Sequence, residues 1–166
     1  LFAHTKTYKQ VGNTVAILIL NEGKKEYKEN IDDFLIKAMK KVAGTLKIDQ
    51  AQYRELESFA KFGGEMDPVT AFTIYKGQKN TQLLIQPQYS PIPVEKQIAI
   101  LYCGTHGLLK DVPLTQVHEF EKLFLDSLQR NHSQDVLAVL KKGTINDEVS
   151  HLIEETAQEV AVSFKS

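Results

Sequence analysis

The chain has 166 residues, of which 42% are hydrophobic and 25% are charged, and its formal net charge is −1. A chain of this length buries a sizeable core as a single domain. Its charge lacks the basic excess that neutralises phosphates, so no nucleic acid is expected as its main partner. The single cysteine, Cys103, excludes an intrachain disulfide and a multi-cysteine zinc site.

The N-terminal region differs in composition from the rest. No apolar run in the sequence is longer than the six residues at 15–20, which are far fewer than the roughly 20 that a membrane span needs. No small-residue cleavage site follows this run, so it does not resemble a signal peptide. We interpret residues 1–30 as an extension of unknown nature, in which the sequence allows a short β strand or hairpin.

From residue 31 onward the apolar residues follow helical spacing. Residues 31–166 are therefore predicted to form a mainly α domain, a bundle of about six or seven short helices. The first helix is expected to begin at the N-cap Asn30 and to end at Gly63 and Gly64, with a kink or break allowed near Gly44 or Asp49. Its apolar stripe consists of Ile31, Phe34, Leu35, Ala38, Met39, Val42 and Leu46, and resumes at Tyr53, Leu56, Phe59 and Ala60.

The second helix has an explicit start. Asp67 is a good N-cap, and Pro68 follows at the first helical position, where its missing N–H carries no penalty. Gly77 is predicted to end this short helix, with one or two further turns at residues 81–85. Three prolines within residues 86–93 then break the helical pattern and predict an ordered loop.

The next two helices are bounded by glycine and proline. One is predicted from Pro93 to Tyr102 and is expected to end at Gly104 and Gly107. Pro113 is predicted to open the following helix. The apolar face of that helix consists of Leu114, Val117, Phe120, Phe124, Leu125 and Leu128.

The last part of the sequence holds two further predicted helices. Ser133 is predicted to cap a short helix that ends at Gly143. The segment from Thr144 to Asp147 resembles a capping box, with Asp in place of the usual Glu or Gln, and is predicted to open the final helix.

No catalytic constellation is apparent in the sequence. The glycines are too sparse and wrongly spaced for a phosphate-binding loop. No pair of histidines has metal-binding spacing, so each is interpreted as a solvated surface residue. Cys103 lies at the end of an apolar helix and is interpreted as a small buried hydrophobe, although His106 is close enough in sequence to be a base. The histidines are His4, His106, His118, His132 and His151.

Charged side chains are interpreted as solvated helix faces. Adjacent carboxylates such as those of Glu154 and Glu155 point in different directions on a helix, so they do not form an acid–base dyad. A lysine cluster lacks the interleaved aromatic residues that stack on bases, which disfavours a nucleic-acid patch. The cluster consists of Lys37, Lys40, Lys41 and Lys47.

Several segments, in the same order and at the same spacing, resemble the C-terminal domain of the F-type ATP synthase alpha subunit. Residues 38–63, from Ala-Met-Lys-Lys-Val-Ala-Gly to Phe-Ala-Lys-Phe-Gly, resemble the segment that opens that domain. The similarity continues through Glu-Met-Asp at residues 65–67, Gln-Pro-Gln-Tyr-Ser-Pro at residues 86–91 and Glu-Lys-Gln-Ile-Ala-Ile-Leu-Tyr at residues 95–102. It covers residues 38–166.

The resemblance implies a helical domain at the membrane-facing end of the catalytic head, beside beta subunits and around the central gamma subunit. This head is peripheral, on the cytoplasmic face of the bacterial inner membrane or the matrix face of the mitochondrial one. In the family, two glutamines before Tyr-Ser-Pro lie near the adenine and ribose of a non-catalytic nucleotide, and they match Gln86 and Gln88 here. Amide side chains suit an adenine edge, but they also bond a loop's own backbone. ATP and magnesium belong to the full-length subunit.

The sequence also departs from the family pattern. The family carries a phosphate-binding loop far upstream and an arginine finger just before the opening segment. Here the corresponding residues 24–37 contain no arginine, and the only arginines present are Arg54 and Arg130. Catalysis is therefore not expected from this chain alone, and residues 1–37 resemble no segment of the family.

Two hypotheses follow from the sequence. The chain is expected to be a structural and coupling domain of the ATP synthase head. The alternative is a stand-alone helical interaction or assembly module derived from an alpha subunit. A nucleic-acid-binding helical domain is a third, disfavoured by the net charge.

Overall fold

The computed structural model describes residues 33–61, 66–85 and 92–164, with side chains described from residue 38 onward and not at residues 59–61. These residues form helices and turns without a strand, which confirms the predicted mainly α bundle. The N-terminal strand or hairpin, the helix start at Asn30 and the division at residue 30 lie outside the described residues. The helices are α1 (Asp33–Lys61), α2 (Pro68–Leu83), α3 (Val94–Thr105), α4 (Val117–Asn131), α5 (Ala138–Lys141) and α6 (Asp147–Val162).

Helix α1 is continuous and has no break at either position where one was allowed. Gly44 lies on its exposed face, and no neighbouring atom lies within 4 Å of the position that a β-carbon would take, so packing does not explain this glycine. Its predicted stripe is confirmed where it is described, because Ala38, Met39 and Val42 are all buried. Packing of this stripe against α2 and α3 outweighs the helix propensity lost at one glycine, about 1 kcal/mol.

Helix α2 begins as predicted and ends later than predicted. The Asp67 carboxylate accepts hydrogen bonds from the main-chain N–H groups of Val69 and Thr70, both at 3.0 Å, which confirms the N-cap. The prediction that Gly77 ends the helix was wrong, since α2 continues to Leu83. A β-carbon at Gly77 would overlap the side chain of Tyr53, so this glycine permits α1 and α2 to approach closely.

Helix α3 is the centre of the bundle. Every residue from Gln97 to Thr105 is buried, because α3 packs against each of the other five helices. The prediction that it ends at Tyr102 was wrong, since Gly104 is inside the helix and faces Asn80 of α2. The backbone leaves α3 at Gly107, whose φ of +68° favours glycine, as predicted for that position.

Helix α4 follows Pro113 after a single turn of 3₁₀ helix, Leu114–Gln116. Its predicted apolar face is confirmed, because Val117, Phe120 and Phe124 are completely buried. This face packs mainly against α6. The aromatic rings of Phe120 and Phe124 stack at a centroid distance of 5.8 Å.

Two predicted N-caps in the last third of the sequence were wrong. Ser133 is the first residue of a π-helical turn, Ser133–Leu137, and makes no capping hydrogen bond. The cap of α6 is Asn146 rather than Thr144, because the Asn146 side chain accepts a 2.8 Å hydrogen bond from the N–H of Val149. Gly143, with φ of +77°, ends α5 as predicted.

The described helices include none that combines the length and the apolar character of a membrane span.

Candidate functional site

The predicted nucleotide-contacting residues, Gln86 and Gln88, lie outside the described residues, so their role stays a prediction. The structure does describe the two ends of the segment that carries them. Ile85 precedes the segment and is 52% exposed, and Ile92 follows it and packs against the core.

The end that leads into α3 is tied to that helix by a buried amide. Gln97 is only 2% exposed, and its side-chain nitrogen donates a hydrogen bond to the carbonyl oxygen of Ile92. The side-chain oxygen of Gln97 is buried and has no hydrogen-bond partner among the described residues. Gln97 therefore fixes the backbone where it emerges from the predicted site.

The other end is held by the closing turn of α2. The N–H of Leu84 donates to the carbonyl of Asn80 at 3.2 Å, and the N–H of Ile85 donates to the carbonyl of Gln82 at 3.0 Å. Leu83 is buried just before this turn. Both ends of the predicted site are thus anchored on α2 and α3.

Polar contacts fix α2 on α1. The amine of Lys76 forms a 2.8 Å ion pair with Asp49, and both side chains are largely shielded from solvent. At the next residue of each helix, the Gln50 amide donates a 3.0 Å hydrogen bond to the carbonyl of Gly77. The hydroxyl of Thr81 lies 2.9 Å from the same carbonyl within α2, and 3.3 Å from the side-chain oxygen of Gln50 on α1. The close approach at Gly77 is therefore accompanied by directional bonds.

Lys79 is a buried cation that sequence reasoning missed. It is only 2% exposed, and its amine donates hydrogen bonds to the carbonyl oxygens of Leu109 and of Lys110, the latter at 3.1 Å. Burial lowers the pKa of Lys79 from 10.5 to about 8, partly offset by the negative charge of Asp111. The available signal was the spacing to Leu83, which is buried four residues later. A continuous α2 places Lys79 and Leu83 on the same face of the helix, so its burial could have been predicted from that spacing.

Glu121 is a buried carboxylate that was also missed. Its side chain lies 3.3 Å from the Nδ1 atom of His118, and its other oxygen is buried with no partner among the described residues. Burial raises the pKa of Glu121, and the contact with His118 opposes this shift. The i, i+3 spacing of His118 and Glu121 could have indicated this contact, because residues three apart are neighbours on a helix.

The remaining reactive side chains form no catalytic arrangement in the described part of the protein. Cys103 is completely buried, and burial raises the pKa of its thiol well above the ordinary value, which confirms its interpretation as a small hydrophobe. His106 is exposed and stacks on the ring of Tyr102 at 3.7 Å. Among the described residues, no three His, Cys, Asp or Glu side chains converge as a metal site.

The interpretation as solvated surface residues is confirmed for His106, His118 and His151, which are exposed. It was wrong for His132, which is half-buried and whose Nδ1 atom is buried. The lysines at positions 40, 41 and 47 are exposed on α1, as a solvated helix face requires.

Comparison with known proteins identifies the family. The family model for the C-terminal domain of the ATP synthase alpha/beta chain matches residues 36–160. This range contains α2 to α5, nearly all of α1 and most of α6. The match covers more than half of the sequence and agrees with the segments on which the sequence resemblance rests.

Curated relatives carry the name "ATP synthase subunit alpha". The protein of Parabacteroides distasonis is 74% identical over 127 residues, which is 76% of this chain and 24% of the relative. That of Phocaeicola vulgatus is 65% identical over 130 residues, covering 78% of this chain and 24% of the relative. That of Flavobacterium johnsoniae is 48% identical over 129 residues, which is 78% of this chain and 24% of the relative. The chain thus spans about a quarter of the length of these relatives, and it belongs to the family of C-terminal domains of ATP synthase alpha and beta subunits, on the side of the alpha subunits.

Proposed function

We propose that this chain acts as the structural and coupling domain of an alpha subunit in the catalytic head of a proton-translocating F-type ATP synthase. The observation that carries the proposal is the family match over residues 36–160, together with 74% identity to an alpha subunit. In this role the domain supplies packing surfaces to the assembly and performs no chemistry alone.

The proposed partners are beta subunits and the central gamma subunit. Support comes from large apolar side chains that the domain leaves exposed on α2. Val69 is 74% exposed and Phe72 is 48% exposed, and the two lie one turn apart on the same side of the helix. Exposed apolar surface of this kind is what subunit interfaces cover.

A nucleotide role is proposed for Gln86 and Gln88 at the adenine and ribose edge of a non-catalytic pocket. The support is the anchoring of both ends of their segment, on Gln97 of α3 and on the closing turn of α2. Most of such a pocket, with its ATP and magnesium, would be contributed by other parts of a full-length subunit. The isolated chain is therefore expected to bind ATP weakly.

The proposed location follows from the proposed assembly. As part of the catalytic head, the domain would be peripheral, on the cytoplasmic face of a bacterial inner membrane or on the matrix face in a mitochondrion. The relatives named above are bacterial, which favours the first setting.

A capture experiment tests the proposal. The tagged chain is mixed with purified beta and gamma subunits of Parabacteroides distasonis, and retained protein is quantified. We expect both subunits to be retained, and we expect the Val69→Lys, Phe72→Lys double variant to reduce retention. Leu123→Lys is the matched control, because Leu123 is 39% exposed on α4. Folded protein that retains neither subunit, but binds another stable partner, would instead support the stand-alone interaction module.

Calorimetry tests the nucleotide claim separately. ATP with magnesium is titrated into the isolated chain, and heat of binding is measured. Weak or undetectable binding is expected, because this chain lacks the phosphate-binding loop. Submicromolar affinity would contradict the claim that the domain contributes only an edge of the pocket.

A further inference from the structure

The segment that joins α3 to the 3₁₀ turn, residues 107–112, is held against α2 by a buried amine. Lys79 reaches across from α2 and donates to the carbonyl oxygens of Leu109 and Lys110. Its amine also lies over the ring of Tyr75, 3.6 Å from the centroid. The main-chain carbonyls at this point therefore depend on a side chain from another helix.

Two more residues of α2 contact the same segment. The hydroxyl of Tyr75 donates a 3.2 Å hydrogen bond to the carbonyl of Val112. The ring of Phe72 lies against Gly107, the residue with positive φ that starts the segment. Phe72, Tyr75 and Lys79 are three and four residues apart, so they form one face of α2.

We propose that Lys79 and Tyr75 form a latch that holds residues 107–112 on α2, and that protonation of Lys79 loosens this latch. The physical reason is that the closed latch removes the amine from water while supplying uncharged carbonyl oxygens as its acceptors. Burial of a charged amine is unfavourable compared with burial of a neutral one. Opening of the segment returns Lys79 to water, where its charge is well solvated.

Charged groups of α2 and of the segment itself line the cavity at the latch, and Asp49 of α1 reaches Lys76 at 2.8 Å. Lys76 and Lys110 line the same small cavity as Tyr75 and Lys79, and Gly104 and Gly107 line it without adding charge. The negative charge of Asp111 favours the charged amine, and so does the ring of Tyr75 beneath it. Desolvation outweighs the attraction of Asp111, since the pKa of Lys79 in the closed state is lowered from 10.5 to about 8.

The sign of the pH effect follows by linkage. The open segment binds more protons than the closed one between pH 8 and pH 10.5, so closure becomes more favourable as pH rises through this window. From about pH 7 to about pH 9, the opening equilibrium should fall by up to about tenfold.

Pulsed hydrogen exchange on the 166-residue chain measures this opening. The reporters are the N–H groups of Lys110 and Val112, which donate within the segment to the carbonyls of Gly107 and Leu109. After correction for intrinsic exchange rates, wild-type protection is expected to rise several-fold to about tenfold from about pH 7 to about pH 9. Amides in the middle of α4 serve as the internal reference.

Three variants make the test specific. Lys79→Met should abolish the pH dependence at both reporters, while Lys122→Met, a change at an exposed lysine of α4, should retain it. Tyr75→Phe should increase opening at both pH values and preserve their ratio, because it removes one hydrogen bond without changing the charge of Lys79. An unchanged pH ratio in Lys79→Met would overturn the proposal. If Lys79→Met does not fold, a wild-type ratio equal to that of the α4 amides overturns it, and a larger ratio that persists in Tyr75→Phe supports it.

Discussion

Gly77 of α2 lies so close to the side chain of Tyr53 on α1 that no β-carbon fits between them. The Gln50 amide bonds the carbonyl of this same glycine, at 3.0 Å, so the two helices are both closely packed and hydrogen-bonded here. A residue whose type usually ends a helix is thus an internal contact point of the bundle.

Gly77→Ala is expected to destabilise the domain. The added methyl would overlap Tyr53, and overpacking of this kind costs about 1–3 kcal/mol, which exceeds the gain in helix propensity. Gly44→Ala is the matched control, because nothing surrounds that position on the exposed face of α1, and it should stabilise by about 0.5–1 kcal/mol. Urea unfolding followed by circular dichroism measures both. Equal effects of the two substitutions would contradict the assigned contact.

The loss of stability caused by Gly104→Ala is expected to become smaller when Asn80 is also replaced by alanine. The Asn80 side-chain oxygen occupies the space that a β-carbon at Gly104 would need, and neither amide atom of Asn80 has a partner among the described residues. Gly104→Ala alone should destabilise, because the added methyl group would overlap the Asn80 oxygen. The double variant should be more stable than the sum of the two effects by at least about 0.5 kcal/mol. Strict additivity in a double-mutant cycle would show that the two residues do not meet.

Glu121→Gln is expected to reduce the loss of stability that accompanies rising pH. Because burial raises the folded-state pKa of Glu121, its contribution is fully present below the unfolded pKa and is lost as pH rises through the folded one. The variant does not titrate, so its stability relative to the wild type should increase as pH rises above about 4.5, the ordinary pKa of a glutamate side chain. The free energy of unfolding is measured across this range. Glu119→Gln, at an exposed position of α4, should leave the wild-type profile unchanged, and an identical profile in Glu121→Gln would refute the prediction.

Asn146→Ala is expected to weaken α6, because it removes the side chain that accepts the hydrogen bond from Val149. Loss of an N-cap costs about 1 kcal/mol. Thr144→Ala, two residues earlier and also exposed, should change stability by less than about 0.5 kcal/mol. The melting temperatures of the two variants, measured by thermal unfolding, show which substitution costs more stability. A larger effect at Thr144 would favour the capping box that the sequence predicted.

Local sequence patterns predicted the helical elements well. The stripe containing Met39 and Val42 and the cap at Asp67 were predicted because spacing and capping depend on residues within one or two turns. Gly77 and Gly104 were misinterpreted because a glycine that ends a helix and a glycine that admits a neighbour look alike in sequence. The two kinds of glycine differ only in whether a side chain from another helix packs against them, as Tyr53 does at Gly77 and Asn80 does at Gly104.

The buried polar residues show the same limit. Lys79 and Glu121 were not predicted to be buried, because the groups that cover them come from distant parts of the sequence or depend on the orientation of a whole helix. The predicted site at Gln86 and Gln88 came from the family resemblance and not from helical periodicity. It remains a prediction, for which the described neighbours supply anchored ends.

A chimeric subunit tests the central claim, that this domain packs into the ATP synthase head as an alpha-subunit domain. Residues 36–160 of this protein, the range of the family match, would replace the matching part of the Parabacteroides distasonis alpha subunit. The whole alignment of the two proteins has 74% identity over 127 residues. The measurement is the amount of head complex recovered with beta and gamma subunits by size-exclusion chromatography, relative to the unaltered subunit. We expect recovery close to that of the unaltered subunit. A folded chimera that remains unassembled would contradict the account.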